Sequence, residues 1–166
     1  MNRVIRTALT KDANPLARLR CAALGGDVSL LALRFESEVM NCTEDRSTLL
    51  VAVIDGQVVG YGRAQFHDGH ANLYGTTRTL PQGWYLRGVV VDEKFRKAGV
   101  ASDLTKARLD WLRPKTTSVN CFLDSDEKLT IPMYERFGFS EVSRGWSFLD
   151  PQRSTDNGIL LRIQFR

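Results

Sequence analysis

The dipeptide Asp55-Gly56 separates two runs rich in apolar and β-branched residues, 49–54 and 57–66. A two-residue Asp-Gly loop favours the mirror-image turn whose twist matches that of antiparallel strands, so the middle of the chain reads as a β-hairpin. A hairpin needs more strands or a helix against its apolar faces to be stable, and the flanking sequence supplies both. Residues 3–8 suit a short first strand. Asp12 can cap a helix over about 14–24 with Leu16, Leu19 and Ala23 on one face, and Gly25-Gly26 stops it. Asp27 can cap a second helix whose stripe is Val28, Ala32, Phe35 and Val39. After the hairpin, a polar loop over 67–82 leads to a strand at 84–91. A helix over about 99–112 repeats Val100, Leu104, Ala107 and Trp111 at helical spacing, and Pro114 bars its continuation. Residues 119–123 read as the next strand. Pro132 suits the first turn of a helix ending near Phe137, with Gly138 as its left-handed stop. Residues 141–148 are expected to alternate, with Val142, Trp146 and Phe148 on one face, and 159–166 alternate again. The order β-α-α-β-β-β-α-β-α-β-β predicts an α+β fold, a mixed sheet of about seven strands flanked by about four helices.

A chain of 166 residues suits one domain over 1–166 and buries roughly 70% of its unfolded surface, so it needs neither disulfide nor metal to fold. Its 43% apolar and 25% charged content excludes a disordered tail, a collagen-like chain and a coiled coil. The uninterrupted apolar runs are too short to span a bilayer, and the first six residues lack the apolar centre of a signal peptide. A cytoplasmic protein with no membrane partner is the resulting expectation. Cys21, Cys42 and Cys121 form no Cys-x-x-Cys, and His67 and His70 are the only histidines, so no metal site is expected. Cys121 reads as a buried thiol, and the two histidines as solvated loop residues.

The charge is modest in sum, +4, but uneven. Residues 94–115 hold seven cations (Lys94, Arg96, Lys97, Lys106, Arg108, Arg113 and Lys115) against Asp103 and Asp110. Glu36, Glu38, Glu44 and Asp45 make a second segment lean acidic. Such runs are ordinarily solvated helix faces; the sharper alternative is a phosphate site in the first and a wall for cations in the second. Nucleic acid is disfavoured, because the cations do not interleave with aromatics and no helix-turn-helix, zinc-finger or RNA-binding signature occurs.

The stretch that carries chemistry is a β-branched strand ending Val89-Val90-Val91, a basic loop, and a helix opening at Gly99. Amides at a helix start lack partners within the helix and share its positive end, and small residues there let an anion approach the backbone. Neither a dinucleotide fingerprint nor a Gly-Lys-Ser/Thr loop is present. The pattern Arg96-x-x-Gly99-x-Ala101 after that strand resembles the acyl-CoA signature of the GNAT superfamily of N-acetyltransferases. Residues 131–139, an apolar helix with Tyr134 that ends Gly138-Phe139, are similar to the family's second hallmark.

The resemblance implies a GNAT-like fold in which the strands at 84–91 and 119–123 splay apart to admit the coenzyme's arm. It implies acetyl-CoA as co-substrate, its pyrophosphate on Arg96, Lys97, Ala98, Gly99, Val100, Ala101 and Ser102, and its arm along Val89, Val90 and Val91. Main-chain amides there would meet the charge that develops on the thioester oxygen, and Tyr134 would protonate the departing thiolate as general acid. Tyr85 stands where some members carry a glutamate base, and Glu127 and Thr130 stand where an asparagine and a small residue are usual. Glu36, Glu38 or a water chain is then expected to take the proton, with the two glutamates also candidate acceptor contacts. The acceptor is expected to be a primary amine, of a small molecule or antibiotic or else of a peptide, attacking directly in a ternary complex by a monomer or homodimer. A non-catalytic acyl-CoA-binding module is the alternative.

Overall fold

The computed structural model describes residues 2–70, 75–150 and 156–166. Its strands and helices follow in the order β1 (Arg3–Thr7), α1 (Ala13–Leu24), α2 (Val28–Asn41), β2 (Ser47–Ile54), β3 (Gln57–His67), β4 (Gly83–Val91), α3 (Val100–Leu112), β5 (Ser118–Asp124), α4 (Thr130–Arg136), β6 (Ser140–Trp146) and β7 (Gly158–Gln164). The strands form a seven-stranded mixed sheet, β1-β2-β3-β4-β5-β7-β6, so the last strand in sequence enters between the fifth and sixth. The chain divides into two compact units, Met1–Ala64 with Arg87–Trp111, and Gln65–Leu86 with Leu112–Arg166.

In the first unit β1 pairs antiparallel with β2 from Arg3 opposite Ile54 to Thr7 opposite Leu50. The turn that launches β3 has Asp55 and Gly56 at φ 47° and 84°, the left-handed pair the dipeptide predicts. Side chains of β2 alternate between two buried layers, as expected of a strand covered on both faces. Leu49 and Val51 join Leu16, Phe35 and Tyr61 beneath α1 and α2. Leu50, Ala52 and Ile54 join Val100 and Leu104 of α3. Helix α2 starts as its sequence predicts, with the Asp27 carboxylate accepting from the Leu30 amide at 2.9 Å. Asp12 does not cap α1 with its side chain. Its buried carboxylate instead accepts from the Leu9 amide at 2.7 Å and from both Arg6 terminal nitrogens, tying β1 to the turn before the helix.

In the second unit β4 and β5 run parallel through Tyr85 opposite Asn120 and Leu86 opposite Cys121. β7 pairs antiparallel with both β5 and β6. Leu80, Tyr85, Phe122, Trp146, Phe148 and Leu160 make the core. The expected alternation of 141–148 fails: register shifts at Glu141/Ser143 and Arg144/Trp146 turn the strand, and Val142 is left 48% exposed while Trp146 and Phe148 are buried. His67 also departs from expectation. It ends β3, is buried, and its Nε2 donates to the Leu80 carbonyl at 3.1 Å.

Candidate functional site

The strand, loop and helix singled out in the sequence lie together in the first unit. Val90 packs into the layer under α1 and α2, whereas Val89 and Val91 pack toward α3. After Val91 the chain makes a short 3-10 turn at Glu93–Phe95, fixed by Asp92, whose carboxylate accepts from the Lys94 amide at 2.9 Å. Lys97 (φ 60°) and Gly99 (φ 80°) both have left-handed backbone, which folds the loop back to the start of α3. A Cβ on Gly99 would meet nothing closer than the Arg3 guanidinium at 3.6 Å, so glycine is there for backbone shape and leaves the helix start open.

The first main-chain bond of α3 runs from the Asp103 amide to the Gly99 carbonyl at 3.0 Å. The amides of Val100, Ala101 and Ser102 precede it and stand outside the helical ladder, at the positive end of a 13-residue helix. The residues before them, Arg96, Lys97, Ala98 and Gly99, are exposed, and Ala101 and Ser102 are half-buried. A helix start of this kind can receive an anion such as a phosphate. Val100 offers only its amide, because its side chain is buried in the α3 layer.

The charge around the loop is narrower than the count of seven cations implies. Arg108 is fully buried, and Lys106 pairs with Asp110 at 2.6 Å. Arg96 and Lys94 border a cleft of roughly 720 Å³ with Lys11 and Arg18. Arg3 of β1 braces the loop from outside: one terminal nitrogen donates to the Ala98 carbonyl at 2.7 Å and the other pairs with Asp103. This contact joins residues about a hundred positions apart, and no local pattern announces it.

The two acidic candidates on α2 part company. Glu38 is held by Arg63, whose Nη2 donates to the carboxylate at 2.9 Å. That guanidinium lies 5.1 Å from the ring centres of both Phe35 and Tyr61. Burial opposes its charge, but the bond to Glu38 and the carboxylate's field outweigh burial and raise its pKa. A Cβ on Gly88 of β4 would lie 3.3 Å from Arg63 Nη1, so the pair stands beside that strand. Burial also pushes the Tyr61 phenol up, against the opposing charge of Arg63. Glu36 is exposed and lines a separate cleft with Thr10, Asn14 and Ser29.

In the second unit Tyr134 is 2% exposed on α4, its ring edge-on to Phe139 with centres 5.2 Å apart. Its carbonyl accepts from the amides of Phe137 and Phe139, closing the helix around Gly138 at φ 98°. Tyr85 is fully buried and its hydroxyl donates to the Pro81 carbonyl at 2.7 Å. Burial raises its pKa to about 12, so it stays a neutral phenol and does not replace a carboxylate base. Among the described residues no group of histidine, cysteine and acidic side chains could hold a metal ion, and no helix is long and apolar enough to cross a membrane.

A mixed sheet whose fourth strand feeds a basic loop and an open helix start gives a domain with a site able to take an anionic ligand. The chain belongs to the acetyltransferase (GNAT) family, whose model matches residues 20–139, and it is an acetyl-CoA-dependent N-acetyltransferase. It is 26% identical to an N-alpha-acetyltransferase of Sulfolobus acidocaldarius over 86% of this chain and 82% of the relative. It is also 26% identical to an N-alpha-acetyltransferase of Sulfurisphaera tokodaii, where the match covers 63% of each chain. Among solved structures, yncA of Salmonella typhimurium, described with its cofactor acetyl-CoA, superposes with a TM-score of 0.72 at 16% identity over 99% of this chain and 94% of that one. The last likeness is one of fold.

Proposed function

We propose that this protein transfers the acetyl group of acetyl-CoA directly to a primary amine, and that the amine is the N-terminal α-amine of a polypeptide. The observation that carries the reading is the cradle at the end of β4: three amides outside the α3 ladder beneath an exposed, left-handed Gly99. The names of the two relatives support an α-amine over a small-molecule or antibiotic amine.

In this reading residues 96–102 hold the pyrophosphate and Val89, Val90 and Val91 align the arm. The amine nitrogen attacks the thioester carbonyl, a C–N bond forms and the C–S bond breaks. The nitrogen's proton leaves to water, and Tyr134 protonates the departing thiolate. Main-chain amides of β4 meet the charge on the carbonyl oxygen. Glu38 acts through Arg63, which it holds beside Gly88. Glu36, exposed, is the carboxylate available to contact a cationic acceptor.

Calorimetric titration with acetyl-CoA, followed by a screen of amines for thiol release, tests the reading. Binding and release with α-amine peptides are expected. Binding without release for any amine would leave an acyl-CoA-binding module, and no binding would remove the reading.

A further inference from the structure

Arg108 is the largest fully buried side chain of the described residues. It lies on α3 and every group it bonds is neutral. Nε donates to the Leu104 carbonyl at 3.2 Å and Nη2 to Thr105 Oγ1 at 2.9 Å. Nη1 reaches out of the helix to the carbonyls of Arg63 on β3, at 3.1 Å, and Arg87 on β4, at 3.4 Å. A cation buried without a counter-ion is costly, and an apolar side chain of equal volume would avoid the cost. β3 is shaped to admit the group, since a Cβ on Gly62 would lie 3.0 Å from the guanidinium carbon.

The carbonyl it holds on β4 belongs to the peptide between Arg87 and Gly88, and Gly88 has φ 44°. That peptide therefore sits at the one left-handed residue inside β4 after Gly83, directly before Val89, Val90 and Val91. It has a guanidinium on each side: Arg63, neutralised by Glu38, on the face of α1 and α2, and Arg108, not neutralised, on the face of α3. A cation on a peptide carbonyl fixes the peptide plane and strengthens the N–H at its other end as a donor. Thr105 extends the chain of bonds, because its hydroxyl donates to the Ala101 carbonyl at 2.8 Å in the first turn of α3.

We propose that Arg108 is a positioning residue for acetyl transfer: from beneath the sheet it fixes and polarises the Arg87–Gly88 peptide, so that the strand holding the thioester presents a rigid, strengthened amide to the carbonyl oxygen. The proposal rests on acetyl-CoA binding along β4. Arg108 itself touches no substrate.

The test compares the parent with Arg108→Met and Arg108→Lys. It measures acetyl-CoA affinity, the single-turnover rate with a free-amine peptide, and the amide resonances of Gly88 and Val89 in the ligand-free proteins. Arg108→Met should leave affinity within about threefold, slow transfer by about tenfold or more as expected for losing one tuned oxyanion donor, and shift the Gly88 amide. Arg108→Lys, which keeps the charge but not the fork, should recover part of the rate. A folded Arg108→Met protein with the parental rate, or with affinity and rate falling together, overturns the proposal, because a merely structural role moves both or neither. If Arg108→Met does not fold, Thr105→Val removes one partner at constant shape and should slow transfer without weakening binding; an unchanged rate overturns the proposal. A parent that binds no acetyl-CoA overturns the acetyltransferase reading and this one with it, an outcome distinct from the others.

Discussion

Tyr134 shows how little a buried aromatic reveals by packing alone. At 2% exposure, edge-on to Phe139, it looks like any core ring, and the proposal that it donates a proton rests on its place before Gly138-Phe139. Tyr134→Phe keeps the ring and removes the proton. Single-turnover transfer should fall by roughly ten- to a thousandfold while acetyl-CoA affinity holds, and an unchanged rate removes the residue from the mechanism. Asp12 gives a second residue-scale outcome. Its bonds to Arg6 lower its pKa, against the opposing effect of burial and with help from the Leu9 amide. A carboxyl depressed in the folded state adds stability that is full above its unfolded value, about 3.9, and is lost as pH falls through the lower folded value. The parent's resistance to urea should therefore fall on acidification below about pH 4, and Arg6→Met should flatten that dependence. Parallel profiles for the two proteins would show that the pair does not set acid stability.

At the scale of elements, the β4–loop–α3 unit was legible because its signals are local: a β-branched run, a basic loop and a glycine that must turn left-handed. The hairpin at Asp55-Gly56 was legible for the same reason. What joins distant segments was not. The Arg3 brace on Ala98 and the Arg63–Glu38 pair depend on the fold to bring them together. Arg108 did leave a signal, a cation at the i+4 position after Leu104 on the apolar stripe of α3, but the run of charges around it reads as a solvated face. The entry of β7 between β5 and β6, and the shifts in β6 that expose Val142, follow from long-range pairing and lack a local cue. The loop's role is tested by Gly99→Glu. A side chain at φ 80° adds about 1 kcal/mol of backbone strain, too little to unfold a domain of ordinary stability, but it places a carboxylate at the helix start beside Arg3. The variant should keep its far-ultraviolet circular dichroism and lose the rise in melting temperature that acetyl-CoA gives the parent. Retention of that rise would move the coenzyme away from the cradle.

For the molecule as a whole, attack needs a neutral amine while capture by exposed carboxylates favours its protonated form. With acetyl-CoA saturating, kcat/KM for the acceptor should rise with pH and fall with added salt, which screens exposed charges such as Glu36. Indifference to salt would take Glu36 out of acceptor capture. Acetyl transfer to a free α-amine is read directly as thiol release from acetyl-CoA with a peptide presented twice, once with its N-terminus free and once with it blocked. Release is expected with the free peptide alone, matched one for one by acetylated product in the mass spectrum. Equal release with both peptides, or none with either from protein that binds acetyl-CoA, would contradict transfer to the α-amine.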